Sequence, residues 1–505
     1  MHTKSGYHWA TWGDLNAFFG LAIDNITVLV IMSGILVFGF GFPADIIFTK
    51  MIPGTAFGVL VGDLAYTWLA FRLAKRTGNR EVTAMPLGLD TPSTIGIALA
   101  VLGPTYVASH DAMITWHVGT ATMIFMGIIK LIASFIGRFI QRTVPQAGLL
   151  GSLGGIGLVL LGFMPLMKMF ALPIVGLVAR GRLPFDIPGA FFSLLVGTAL
   201  YHILGPLDLL GAPYHAPELA GLTVAMPWPT LGFVDGLGPA LAYLPIAIPF
   251  GLLTVVGGIN VTESARVAGD TYDTKSILLT EAIATLVAGL CGGVAQSTPY
   301  IGHPAYKAMG GRSAYTLATG LFVGLGGMLG LVSAIVTLLP EAAVTPILLF
   351  VGIEIVVQSF HASGEKHAPA VVLAYLPSVA EGSRILLAGF IADAALNPAL
   401  LPAKAAGTLD LLNVLGHGFI VTAMLWGGAM ACLLDKRFKA AAIYLLILAG
   451  FSLFGFIHSP MPSGEMFWPS AITSSTPFML ALSYGVLAVL LVIIAFKTHR
   501  QTRSV

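Results

Sequence analysis

The sequence predicts an all-α polytopic membrane protein made of two inverted repeats of seven transmembrane segments, with two broken half-helices at its centre. Three observations predict this. The 505 residues are 56% hydrophobic and only 10% charged, with a mean hydropathy of +0.90, whereas soluble globular chains carry about 25% charged residues. Basic residues cluster after every second apolar run. Two proline-broken stretches, 83–94 and 296–313, occupy matching places in the two halves.

The apolar runs fall at 15–39, 46–71, 92–103, 117–137, 146–164, 166–179, 187–205, 236–264, 276–295, 303–310, 314–338, 342–360, 368–393, 412–434, 440–458 and 477–496. A helix needs roughly 20 apolar residues to cross ~30 Å of hydrocarbon. Runs 92–103 and 303–310 are too short to do so alone, and 14 to 16 segments fit the pattern. Transmembrane β-barrels are excluded, because their strands alternate apolar and polar residues. The first run is long and lacks a small-residue cleavage site, so it reads as a span and not as a signal peptide. Cys291 and Cys432 lie in apolar runs and read as packed thiols.

Cytoplasmic loops are enriched in Lys and Arg. Arg72, Lys75, Arg76 and Arg80 follow the second run, Arg138 and Arg142 the fourth, Arg180 and Arg182 the sixth, and Arg266 and Lys275 the eighth. Arg312, Lys366, the group Lys436, Arg437 and Lys439, and finally Lys497, Arg500 and Arg503 continue the alternation. Only Arg384 departs from it. Both termini are therefore expected in the cytoplasm of a multi-pass protein of the plasma membrane (bacterial inner membrane).

The broken stretches read TAMPLGLDTPST and QSTPYIGHPAYKAMGGRS. Pro86, Gly88 and Pro92 of the first echo Pro299, Gly302 and Pro304 of the second, and each stretch is the third segment of its half. Seven segments per half is odd, so the second half lies inverted. Proline removes an N–H and pushes the preceding residue out of the α region. Paired discontinuous helices in corresponding positions point to a transporter's binding site, where a half-helix turns its positive end toward a polar or anionic group. The alternative is a pair of irregular surface loops.

Ionisable residues inside spans are functional candidates by default. Glu263, in GGINVTESARVAGD, is the foremost, with Asn260 one turn before it; the plain alternative is a surface pair with Arg266. Asp24 and Asn25 lie in the first span, the repeat counterpart of the eighth, and could equally bond between helices. Asp63 reads as structurally paired. Asp90 opens the first half-helix, where it could simply cap it. His303 and Lys307 share a helix face, although Lys307 could snorkel to the interface. No metal-ligand cluster, H-E-x-x-H or G-x-S-x-G pattern lies in the spans, so no enzyme, metal or cofactor is expected.

These residues resemble the nucleobase–cation symporter superfamily of xanthine, uracil and hypoxanthine/guanine permeases, whose fold is shared with sulfate permeases. Thr262–Glu263–Ser264 resembles its eighth-span T-E-S, MPLGLDTPST its third segment, YIGHPAYKAMGGRS its tenth-span pattern, and SVAEG (378–382) its S-I-A-D-G. The resemblance implies a core domain at 1–144 and 235–339 and a gate domain at 145–234 and 340–505. Within the latter, 383–411 would be an insertion and the last span an extra C-terminal helix. It implies cation-coupled uptake of a nucleobase or similar heterocycle by an elevator mechanism. The expected substrate contacts are Glu263, Asp90, Thr91, Ser93, Tyr300, Gly302, His303, Phe19 and Asn260, and the expected coupling groups are Glu263 and Asp24. Partners would be the substrate, a proton or sodium ion and the lipid bilayer, with a homodimer compatible and no nucleic acid. One departure stands out: the family's tenth-span acidic or amide residue falls on Gly302. Glu263 keeps the nucleobase reading first, while that absence, with His303 and Lys307, supports the alternative of an anion transporter or exchanger of the sulfate permease type.

Overall fold

The computed structural model describes residues 6–143, 145–171, 189–211, 213–217, 224–300, 302–394, 396–397, 400–461 and 464–501. Among these, eight helices are long and apolar enough to cross a membrane, or up to ten if each of two bent pairs is one span. The protein is thus an α-helical multi-pass membrane protein.

The helices are α1 (Gly13–Gly34), α2 (Ala44–Thr77), α3 (Thr91–Ser109), α4 (Ala112–Thr143), α5 (Gln146–Ala171), α6 (Gly189–Leu204), α7 (Gly232–Val267) and α8 (Thr274–Leu290). They continue as α9 (His303–Ala308), α10 (Ala314–Met328), α11 (Leu331–Leu338), α12 (Glu341–Ser363) and α13 (Ala368–Asp393). The last four are α14 (Ala403–Gly416), α15 (Phe419–Leu434), α16 (Phe438–Leu453) and α17 (Thr476–Gln501). Strands β1 (Leu87–Leu89) and β2 (Ser297–Pro299) complete the elements.

Several expected spans are redrawn. The run 92–103 belongs to a helix that continues to Ser109, 19 residues in all. A π-helical turn at Ala98–Leu102 carries the chain up to Gly103–Pro104, so the missing proline N–H does not end the helix. A Cβ at Gly103 would sit 2.2 Å from the tip of the Phe40 ring, which a larger residue there would displace. Runs 146–164 and 166–179 begin as one helix, α5, and residues 172–179 lie outside the described residues. The run 314–338 is bent by 87° between α10 and α11, and α14 and α15 meet at 67°. Much of the expected insertion 383–411 is helical, in α13 and α14.

The chain divides into two compact units: Met1–Gly137, Met167–Leu241 and Phe250–Ile347; and Arg138–Leu166, Ala242–Pro249 and Leu348–Val505. In the first, small residues let backbones approach closely, as helix packing in lipid requires. Along α2, a Cβ on Gly54 would lie 2.3 Å from Gly293 N, and one on Gly58 would lie 2.6 Å from the Ala288 Cβ on α8. Along α10, Gly320, Gly324 and Gly327 leave room for Asp63, Leu60 and Ala56 of α2. In the second unit, Gly148 packs on the α15 backbone and Gly151 on Ala374 of α13. Arg384, the one basic residue off the alternation, is held by Glu381 one turn earlier, with Nε 2.7 Å from Oε2, so its charge is compensated.

Candidate functional site

The two broken stretches meet. β1 and β2 pair antiparallel, with Leu87 opposite Pro299, Gly88 opposite Thr298 and Leu89 opposite Ser297. The Tyr300 N–H donates to Pro86 O at 2.9 Å and the Asp90 N–H to Gln296 O at 2.9 Å, extending the ladder at both ends. The ribbon leads into α3 through Asp90 and into α9 through Gly302. Asp90 is an N-cap: its Oδ2 accepts from the Ser93 N–H at 3.0 Å, and its C=O accepts from the Thr94 hydroxyl at 2.7 Å. Leu87 is anchored in an apolar cluster with Tyr66, Met85, Val261 and Ile277.

The lead-in to β1 is fastened by three tyrosine hydroxyls, each donating at 2.6 Å: Tyr7 to Val82 O, Tyr272 to Thr83 O and Tyr315 to Ala84 O. The carboxylate of Asp270, in the α7–α8 connection, joins the same segment to α9. Its Oδ2 accepts from the Thr83 N–H at 3.1 Å and lies 2.7 Å from Lys307 Nζ and 3.3 Å from His303 Nε2. Burial alone would raise the Asp270 carboxyl, but hydrogen bonds from His303, Lys307 and the Thr83 amide outweigh it and hold it below its ordinary value. A carboxyl lowered in this way contributes stability above its unfolded pKa and loses it as pH falls through the folded one. Asp270→Asn is therefore expected to cost about 3 kcal/mol at neutral pH. The gap to wild type should close only below about pH 4, where the wild-type group protonates too. Thermal unfolding of both proteins at neutral and acid pH checks this.

Around the ribbon lie four carboxylates and one ammonium. Asp24, on α1, faces Gly88: a Cβ there would be 3.6 Å from Asp24 Oδ2 and 3.5 Å from the Tyr300 ring. Asp24 Oδ2 is buried without a hydrogen-bond partner. Its neighbour Asn25 accepts from the Leu89 N–H at 3.0 Å, tying α1 to β1. Asp63 is fully buried on α2, and neither oxygen makes a hydrogen bond of full geometry, although the Leu87 amide lies on that side. Lys130, on α4, and Glu281, on α8, are both fully buried, with Nζ 2.6 Å from Oε1. Gln296 Nε2 lies 3.5 Å from Asp90 Oδ2.

The structure brings Asp90, Thr91, Ser93, Tyr300, Gly302 and Asp24 to the ribbon and its helix ends. Gly302 is not an open position: a Cβ there would lie 2.9 Å from the Tyr306 ring and 3.2 Å from Tyr300. His303 is buried with Nε2 toward two acceptors, Thr83 O and the Asp270 carboxylate, so Nε2 carries the hydrogen. Asn260 is half-buried one turn beyond Gly257, where a Cβ would meet nothing within 4 Å. Phe19 is exposed, its ring 5.2 Å from Phe18. Glu263 is placed elsewhere: it is 56% exposed and held by Arg266, Nε to Oε2 at 2.8 Å. Residues 263 and 266 share one helix face, and the face of α7 toward Glu281 and Pro299 carries Gly258 instead. Lys130, Glu281 and Asp270 are not among the site residues expected from the sequence. Lys130 in MGIIKLIAS and Glu281 in LLTEAIATL are lone charges in apolar runs, the signal that marks such groups as functional candidates.

No family model matches the chain, and no curated protein matches it. Solved structures do. The transmembrane domain of BicA, a cyanobacterium bicarbonate transporter, is 15% identical with a TM-score of 0.51, over 81% of this chain and 96% of that one. SLC26A9 is 15% identical with a TM-score of 0.50, over 75% of this chain and 65% of that one. Murine Slc26a9, an anion transporter in the inward-facing state, is 14% identical with a TM-score of 0.42, over 77% of this chain and 74% of that one. The likeness is one of fold, a helical transmembrane fold like those of the BicA transmembrane domain and SLC26A9. These findings overturn the nucleobase–cation symporter assignment. The T-E-S motif on which it leaned belongs to a surface pair at the end of α7.

Proposed function

We propose that this chain is a secondary active transporter that takes up a small anion together with protons or sodium ions. The observation that carries the reading is the charge balance at the paired breaks. Asp24, Asp63, Asp90 and Glu281 surround a ribbon whose one buried cation among the described residues is Lys130. The α3 N-terminus supplies positive potential for an anion, while His303 and Lys307 are held by Asp270. The carboxylate excess repels that anion until a cation neutralises part of it, because charges in a low-dielectric interior interact strongly. Cation-coupled symport follows from the two facts together. The similarity in fold to BicA and SLC26A9 supports an anion as cargo. Asp24, with an unpartnered oxygen against the ribbon, is the coupling group this arrangement favours. An elevator cycle, with the ribbon-bearing helices as the moving body, fits a site built on paired half-helices.

The test is uptake of radiolabelled bicarbonate, sulfate and a dicarboxylate by proteoliposomes under an imposed pH or sodium gradient, with uracil as control. Saturable accumulation of at least one anion that collapses with the gradient is expected. Accumulation of none of them under either gradient sinks the reading.

A further inference from the structure

Lys130 is an unusual residue to find fully buried in a membrane helix, and its surroundings account for all three of its hydrogens. Besides Glu281 at 2.6 Å, Nζ meets Ser297 O at 2.7 Å, Thr285 Oγ1 at 3.1 Å and Gln296 Oε1 at 3.2 Å. Two of these acceptors belong to the start of β2, one as backbone and one as side chain. Gln296 in turn reaches the Asp90 cap of α3 by its side chain, at 3.5 Å, and by its carbonyl, which accepts from the Asp90 N–H. On the far side Gly258 makes room for the Glu281 carboxylate, a Cβ there being 3.0 Å from Oε2. So α4, α8, β2 and the α3 tip converge on one ammonium.

We propose that Lys130 and Glu281 are positioning residues for transport: the pair fixes β2 against β1 and the Asp90 cap, and so sets the ribbon from which the α3 N-terminus faces the anion. This rests on the reading of the ribbon as the anion site. A buried ion pair is weak evidence for stability, since well-packed apolar residues often replace it at no loss, and its best-attested use is to specify register. β1 is held on its own side by Asn25, the Leu87 cluster and the tyrosine-tethered lead-in, so the pair specifies where β2 stands against it. The Lys130 ammonium holds Ser297 O and Gln296 Oε1, and Gln296 in turn holds Asp90, so this chain of contacts closes only when Gln296 stands opposite Asp90.

The test uses the full-length protein with Cys291→Ala and Cys432→Ala, and cysteines introduced by Gly88→Cys and Thr298→Cys, which face each other in the ribbon. The control pair is Thr67→Cys and Thr316→Cys, whose native hydroxyls lie 2.8 Å apart between α2 and α10. In the double variant Lys130→Met/Glu281→Leu, which leaves no buried charge unpaired, ribbon crosslinking should fall about tenfold while the control crosslink stays. Anion uptake should drop about a hundredfold, the loss a misplacement of about 1 Å brings. Retained ribbon crosslinking overturns the proposal. Should both crosslinks vanish, the isosteric Glu281→Gln decides. A raised KM with a weakened ribbon crosslink supports the strut, and wild-type values of both overturn it. Absence of anion uptake even in the wild type counts against the parent reading alone, because the crosslinks report the strut without it.

Discussion

Asp24→Asn is expected to abolish concentrative uptake while leaving exchange of the anion down its own gradient. With one coupled proton, accumulation reaches about tenfold per unit of pH gradient; in the variant it should fall to unity. The reason lies in the surroundings of the group. Asp24 sits at the ribbon with Oδ2 buried and without a hydrogen-bond partner, and Lys130 is already taken by Glu281 and the β2 segment. A carboxylate placed this way needs a proton or a bound cation to be neutral in a desolvated interior. Asparagine keeps its shape and removes the charge, so folding is spared. Comparing counterflow with gradient-driven uptake in the same proteoliposomes separates the two steps. Wild-type accumulation in Asp24→Asn would remove the residue from the mechanism.

The second large effect concerns folding. Gly54→Leu should leave no folded protein, at a cost of about 3 kcal/mol or more. A Cβ at Gly54 would lie 2.3 Å from Gly293 N and 2.4 Å from Cys291 O, and both obstacles are backbone that cannot turn aside. The contrast is Gly257→Ala, where a Cβ meets nothing within 4 Å; its effect should stay within about 1 kcal/mol, the helix propensity difference. Fluorescence-detected size-exclusion of the two variants checks the pair, and equal monodispersity would contradict it.

The spans were legible in the sequence because lipid imposes length and composition on every crossing helix, as α1, α2 and α17 show. The meeting of 83–94 with 296–313 was legible because matched prolines in opposite halves have few structural solutions. The sequence does not show that α3 continues past Gly103–Pro104, since a π-helical turn that accommodates proline has no sequence signature. Glu263 was over-weighted. Its E-x-x-R spacing with Arg266 already announced a partner on the same face, but sequence alone does not show which side of α7 meets the ribbon. Lys130, Glu281 and Asp270 were passed over for the converse reason. Their partners are 151 residues apart for the first two, and 33 and 37 apart for Asp270 with His303 and Lys307. Spacing rules for single helices do not reach that far.

The tyrosines at the ribbon's entrance carry a consequence for release of cargo. Val82, Thr83 and Ala84 are tethered by hydroxyls from the N-terminal segment, the α7–α8 connection and α10. Three consecutive carbonyls are thus tied to three distant parts of the chain just before β1 begins. On the transport reading proposed above, a cradle held this firmly would release its cargo by moving as a body, and the time spent per molecule would be set by that journey and not by the strength of hold.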